Sequence, residues 1–298
     1  MSITVKNLTK SFGDKIAVND LSFEINEPCA FGLIGTNGAG KTTTIRMMLG
    51  IMRPDRGSCE WNGKPISRET LSFGYMPEER GIYGKVKVLE QLIYFGVLRG
   101  MTESDAKKSA LSLSERLGLG EYLDKFADKL SKGNQQKVQL AATLIHDPEL
   151  VVLDEPFSGL DPVNAETLRE IISELIEREK YVIMSSHVMS TVEEFCRDIV
   201  LLHQGKTVLS GNLREIKAGY GHNRLFVSAD GNISEFAKKV GIKLLDERAD
   251  GSEFEIHGKT DADKFLALLV ENGVYPTKYE LREPSLNEIF IETAGREA

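Results

Sequence analysis

The sequence predicts an α/β core followed by a small α+β domain, and three observations carry that prediction. An apolar run, Ala30-Phe31-Gly32-Leu33-Ile34, feeds a glycine-rich turn and then a helical run over 43–49. Strand, glycine loop and helix is how a doubly wound parallel sheet begins. Two more apolar runs, 150–153 and 181–186, end in polar residues, Asp154-Glu155 and His187. Past residue 221 the pattern changes to short strands and helices in the order β-α-β-β-α-β, which suggests a ferredoxin-like layer.

Taken in order, residues 1–30 alternate apolar and polar, with Gly13-Asp14 as a hairpin turn, and read as a small antiparallel β layer. The loop Gly35-Thr36-Asn37-Gly38-Ala39-Gly40-Lys41-Thr42 then fits G-x-x-x-x-G-K-[ST] at every required position. Its glycines let backbone N–H groups turn inward around phosphate oxygens. The helix that opens at Thr42-Thr43 adds a favourable partial charge at its N-terminus. Lys41 is placed to reach the β- and γ-phosphates of ATP, and the Thr42 hydroxyl to ligate Mg²⁺.

Residues 58–62 read as a strand closed by an Asn62-Gly63 turn, and 73–76 as a buried strand. Apolar residues recur at helical spacing over 90–99 and 103–117. With the helix after Ser131 they make a helical insertion of roughly 79–147. Asp154 ends a strand on the edge where ligands sit in such sheets, so it is placed to hold Mg²⁺. Glu155, one residue on, suits a general base or water-orienting role. His187 follows a strand on the same edge and could reach the γ-phosphate.

Leu130-Ser131-Lys132-Gly133-Asn134-Gln135-Gln136-Lys137 resembles the LSGGQ signature of ABC-transporter ATPases. Alone it would be an ordinary N-cap; in this order and spacing it is the feature that separates the chain from other phosphate-loop enzymes. The resemblance covers roughly residues 1–220. It implies that two chains enclose two nucleotides head to tail, with Ser131 and Gly133 meeting the γ-phosphate held by the partner. It implies that Phe12 stacks on adenine, that Asp161 lies in the loop crossing the dimer interface, and that His187 is the switch histidine. Two positions depart from the family pattern. Lys132 stands where glycine is common, putting a cation near the phosphate site or the interface. Glu78 stands where the family has a glutamine that contacts Mg²⁺ and water. Both departures resemble exporter ATPases of the sodium-extrusion and drug-resistance branch. Pro284-Ser285-Leu286 with Phe290 resembles their C-terminal extension.

The domains expected are therefore 1–219, the ATPase, and 220–298, an accessory domain, joined by a linker over 217–221. The 298 residues are 41% hydrophobic and 28% charged, ordinary for a soluble protein. No apolar stretch approaches the roughly 18–20 residues needed to span a bilayer. The expectation is a cytoplasmic chain, peripheral on the inner face of the cell membrane through a separate permease. Ile82, Tyr83, Val86, Leu89 and Tyr94 are candidates to receive a permease helix. Net charge is −8, and the acidic balance argues against nucleic acid as a partner. The three cysteines, Cys29, Cys59 and Cys196, match no zinc or disulfide spacing. The function expected is ATP hydrolysis driving export of sodium, a drug or a peptide, by a homodimer or a heterodimer with another such ATPase. A soluble ATPase of this fold acting on ribosomes or DNA is the alternative, disfavoured by a single phosphate loop and no sustained heptads.

Overall fold

The computed structural model describes residues 1–79, 81–221 and 223–296. They form two compact units, one over 1–211 and one from Asn212 onward.

In the first unit, β1 (Ile3–Phe12) and β2 (Lys15–Ile25) make the expected hairpin, with Phe12 opposite Lys15. Alternate residues face the core, so Ile3, Val5, Leu21 and Phe23 are buried while their neighbours are not. β3 (Ala30–Gly35) is buried throughout, as a strand covered on both faces must be. The glycine loop follows it and leads into α1 (Lys41–Met48). β4 (Arg56–Trp61) turns into the two-residue β5 (Lys64–Pro65) through Asn62-Gly63, whose φ angles of 50° and 76° match a primed hairpin turn. These four outer strands form one sheet, ordered β2-β1-β4-β5.

β6 (Phe73–Met76) returns to the core, and the chain then leaves it for α2 (Val88–Leu98), α3 (Glu103–Arg116) and α4 (Lys132–Leu144). Leu92, Ala106, Ala110, Leu117 and Val138 are buried in this helical region. The core resumes with β7 (Leu150–Asp154), α5 (Pro162–Glu177), β8 (Tyr181–Ser186) and α6 (Met189–Phe195). It closes with β9 (Asp198–His203) and β10 (Lys206–Asn212), joined at Gln204-Gly205. The central sheet runs β10-β9-β3-β8-β7-β6, and β9, β3, β8, β7 and β6 are parallel. Asp154 and Leu33 both register with Ser185, so β3, β7 and β8 end at one level.

The second unit comprises α7 (Leu213–Tyr220), β11 (Arg224–Ser228), α8 (Ser234–Val240), β12 (Lys243–Arg248), β13 (Gly251–Glu255), α9 (Lys259–Glu271), β14 (Lys278–Arg282) and α10 (Leu286–Arg296). Its sheet runs β12-β13-β11-β14, antiparallel at the β12–β13, β13–β11 and β11–β14 junctions, as the β-α-β-β-α-β order requires. Leu225, Val227, Phe254, Phe265 and Leu269 form its core. Two expectations are corrected. Of the expected linker 217–221, residues 217–220 are the end of α7, because the Asn212 side chain caps that helix and Gly221, with φ 69°, ends it. The division between units accordingly falls at 211/212 instead of 219/220. β14 begins only at Lys278, past Pro276, which has no N–H to donate to a ladder.

Candidate active site

Three adjacent strands deliver the expected residues to one edge of the central sheet. From β3 comes the glycine loop, from β7 Asp154 and Glu155, and from β8, which lies between them, His187. The loop can turn so tightly because Gly40 adopts φ 105°; a Cβ there would lie 2.4 Å from the Ala17 carbonyl oxygen. Phe12, residues 37–43, Glu78 and Glu155 line a cleft of about 350 Å³, together with Lys15 and Ala17. Thr36 anchors the loop by accepting from the Ala39 N–H at 3.1 Å. Phe12 is half exposed, with the Lys10 ammonium 5.9 Å from the ring centre.

Lys41 is buried, and its Nζ donates to the Gly35 carbonyl at 2.7 Å and the Thr36 carbonyl at 3.3 Å. It also stands 3.1 Å from Glu155 Oε1. That oxygen has no partner of hydrogen-bond geometry, so the contact is ionic attraction alone. The other oxygen, Oε2, accepts from His187 Nδ1 at 2.8 Å. Glu155 is a non-glycine residue at φ 50°, a conformation that needs support. The support is Ser185, whose Oγ accepts from the Glu155 N–H at 3.0 Å. The same hydroxyl donates to Asp154 Oδ1. Tyr75 reaches Asp154 Oδ2 at 3.4 Å, and burial, with the Asp154 charge beside it, pushes its phenol up to about 12.

Hard oxygen donors are the right chemistry for Mg²⁺. Asp154 is buried at the strand end, and Thr42 and Glu78 share the cleft. Among the described residues no group of three or more His, Cys, Asp or Glu side chains forms a cage by itself. Mg²⁺ takes one or two carboxylates and completes its shell with phosphate oxygens and water.

The signature residues start α4. Ser131 Oγ caps the helix by accepting from the Asn134 N–H at 3.3 Å. Gly133 does allow a close approach, and the group approaching it is Asn164 of the same chain: a Cβ on Gly133 would lie 2.3 Å from Asn164 Nδ2. Asp161 caps α5, accepting from the Asn164 N–H at 3.0 Å. Those donated bonds hold its carboxyl below the usual range. Ser131 and Gly133 are not among the residues lining the cleft around Lys41.

Four participants have no role in the sequence reading: Ser185, Tyr75, Gln136 and Gln139. Gln139 Nε2 donates to the Pro77 carbonyl at 2.8 Å and the Glu79 carbonyl at 3.1 Å, and Gln136 donates to the Pro156 carbonyl. Ser185 had a legible signal, a polar residue in an otherwise apolar strand. The glutamines had one too, a polar pair at helical spacing on the inner side of α4.

The ABC transporter family model matches residues 18–158, and the model for the C-terminal domain of DrrA1-3-like ATP-binding proteins matches 211–294. The chain is 42% identical over 294 residues to the ABC transporter ATP-binding protein YhaQ of Bacillus subtilis (strain 168), covering 98% of each. It is 30% identical over 307 residues to the linearmycin resistance ATP-binding protein LnrL of the same organism, covering 99% of this chain and 98% of that one. A solved ATP-binding subunit of an ABC transporter superposes with a TM-score of 0.68 at 30% identity, over 74% of this chain and 94% of that one. The fold, the phosphate loop and these likenesses converge: the chain belongs to the ABC transporter family, as an ATP-binding, ATP-hydrolysing subunit.

Proposed function

We propose that this subunit powers export through a separate membrane permease, pairing with a second ATPase chain around two ATP molecules. The observation that carries the chemistry is the Lys41–Glu155–His187 cluster, in which Lys41 and His187 each meet one oxygen of Glu155. In the reaction, the oxygen of a water bonds to the γ-phosphorus, the bond to the bridging β-γ oxygen breaks, and Glu155 takes the water's proton. His187, held on Glu155 Oε2, orients that carboxylate and faces the γ-phosphate. Lys41 transfers from Glu155 and the loop carbonyls to the phosphates, exchanging one set of oxygens for another. Thr42, Asp154 and Glu78 would hold Mg²⁺, which when bound neutralises phosphate charge. Phe12 stacks on the adenine, and the start of α4, with Ser131 and Gly133, offers its N-terminus to the partner's nucleotide.

Among the described residues no helix is long and apolar enough to cross a membrane, which supports a transport path supplied by another chain. The docking face for it is Tyr83 and Tyr94, both about half exposed, with Tyr83 stacked on Phe95 at 5.8 Å. Ile82, Val86 and Leu89 are half-buried beside them. Export, as against import, is supported by the likeness to a resistance protein. The test is size-exclusion chromatography with light scattering on Glu155→Gln, with and without ATP and Mg²⁺. An ATP-dependent dimer is expected; a monomer under both conditions would overturn self-pairing.

A further inference from the structure

The two departures from the family pattern, Glu78 and Lys132, line the same cavity. It measures about 320 Å³, lies beside the nucleotide cleft, and is also walled by Asp154, Glu155, Gln136 and Gln139. Glu78 and Glu155 line both spaces. Lys132, Gln136 and Gln139 are spaced i, i+4, i+7 and so form one stripe of α4. Gln136 and Gln139 fix the far end of that stripe to the carbonyls of Pro156, Pro77 and Glu79. Lys132 thereby shares this cavity with three carboxylates of its own chain, Glu78, Asp154 and Glu155.

The charges in this cavity are unequally provided for. Asp154 has Ser185 and Tyr75, and Glu155 has Lys41 and His187. Glu78 has no hydrogen-bond or ion-pair partner among the described residues, and neither has Lys132; both are exposed at the cavity. An extra carboxylate and an extra ammonium facing one space attract each other through it. We infer that Lys132 acts in cis, as a positioning residue: it offsets the charge that Glu78 adds beside the Mg²⁺ position, so the two substitutions are a matched pair. This inference rests on the reading of the cleft as the Mg-nucleotide site.

The experiment is a double-mutant cycle on the full chain, reading the affinity of a fluorescent ADP with and without Mg²⁺ in dilute protein. No dimer and no turnover are involved. Lys132→Met is expected to strengthen the Mg²⁺-dependent part of binding by about fivefold, the scale of one charge acting across a hydrated cavity. Glu78→Gln is expected to weaken it by a similar factor. In Glu78→Gln/Lys132→Met the two effects are expected to fall short of their product by about threefold or more, because each single change is felt through the other residue. A charge swap, Glu78→Lys/Lys132→Glu, is expected to lie nearer the parent than Glu78→Lys alone. Effects that multiply independently would overturn the pairing. A Lys132→Met protein unchanged in this monomeric assay would place Lys132 in trans, on a partner's nucleotide, and overturn the inference likewise. ADP affinity without Mg²⁺ keeps the two readings apart: its absence in the parent chain would count against the nucleotide site itself.

Discussion

At the scale of single residues, Lys41 and Glu155 are each other's partners before either meets a nucleotide. Lys41→Ala is expected to abolish tight ATP binding, and retained micromolar affinity by calorimetry would count against the phosphate-loop assignment. Glu155→Gln is expected to lower the rate of hydrolysis by about 10²–10⁴-fold, the usual contribution of a positioned base. It is also expected to raise nucleotide affinity, because Lys41 is released from a competing carboxylate; a calorimetric Kd unchanged or weaker would show that the 3.1 Å ion pair does not compete. Ser185→Ala removes the one hydroxyl that serves both Asp154 and Glu155. Leaving those buried groups short of a partner costs about 1–3 kcal/mol, to be read as a lower midpoint in urea. The loop residues and acids were legible because their chemistry demands particular side chains at fixed spacing. Ser185 was harder to see, since its role depends on β8 lying beside β7, which is a matter of sheet order and not of spacing.

At the scale of elements, helix ends carry the specific predictions. Ser131→Ala removes the cap of α4 and is expected to cost about 1 kcal/mol of stability. In the second unit, Ser285 and Glu288 form a capping box at the start of α10: the Ser285 N–H donates to Glu288 Oε2 at 2.8 Å, and Glu288 N–H to Ser285 Oγ at 3.3 Å. Glu288 Oε1 also accepts from Arg224 Nε at 2.8 Å, tying the helix to β11. Burial raises the Glu288 pKa, but Arg224 and Ser285 outweigh it and hold the carboxyl below its usual value. A depressed carboxylate stabilises the fold above the unfolded pKa and loses that contribution as pH falls through the folded one. Glu288→Gln is expected to lower the melting temperature near neutral pH and to leave it nearly unchanged only once the pH has fallen below the depressed folded pKa; an equal loss on both sides of that pKa would sink this account. Strands and helices of the core were readable from periodicity because burial on one or both faces imposes it. The end of α7 was misread because glycine and an amphipathic turn give opposite signals, and the Asn212 cap decides between them.

At the scale of the whole molecule, two units with separate cores imply separable stabilities. Removing residues 212–298 is expected to leave nucleotide binding by the monomer intact; complete loss in a folded truncation would show that the second unit shapes the cleft. His146 adds a pH dependence to the first unit. Burial, with Arg99 nearby, pushes it down to about 4, although its Nε2 meets the Phe73 carbonyl at 3.2 Å. Between about pH 6.5 and 4 the unfolded chain therefore binds the proton that the folded one refuses. Stability falls as pH falls through that window, and His146→Gln is expected to flatten the slope in chemical denaturation. The sheet order has a further consequence, in time. β8 is made after β3 and β7 yet belongs between them. A chain still emerging from the ribosome holds a glycine loop and an acid pair that stand as unjoined pieces until Ser186 has cleared the tunnel. Nucleotide binding should therefore switch on late and abruptly during synthesis, when the last of the three strands slots into its gap.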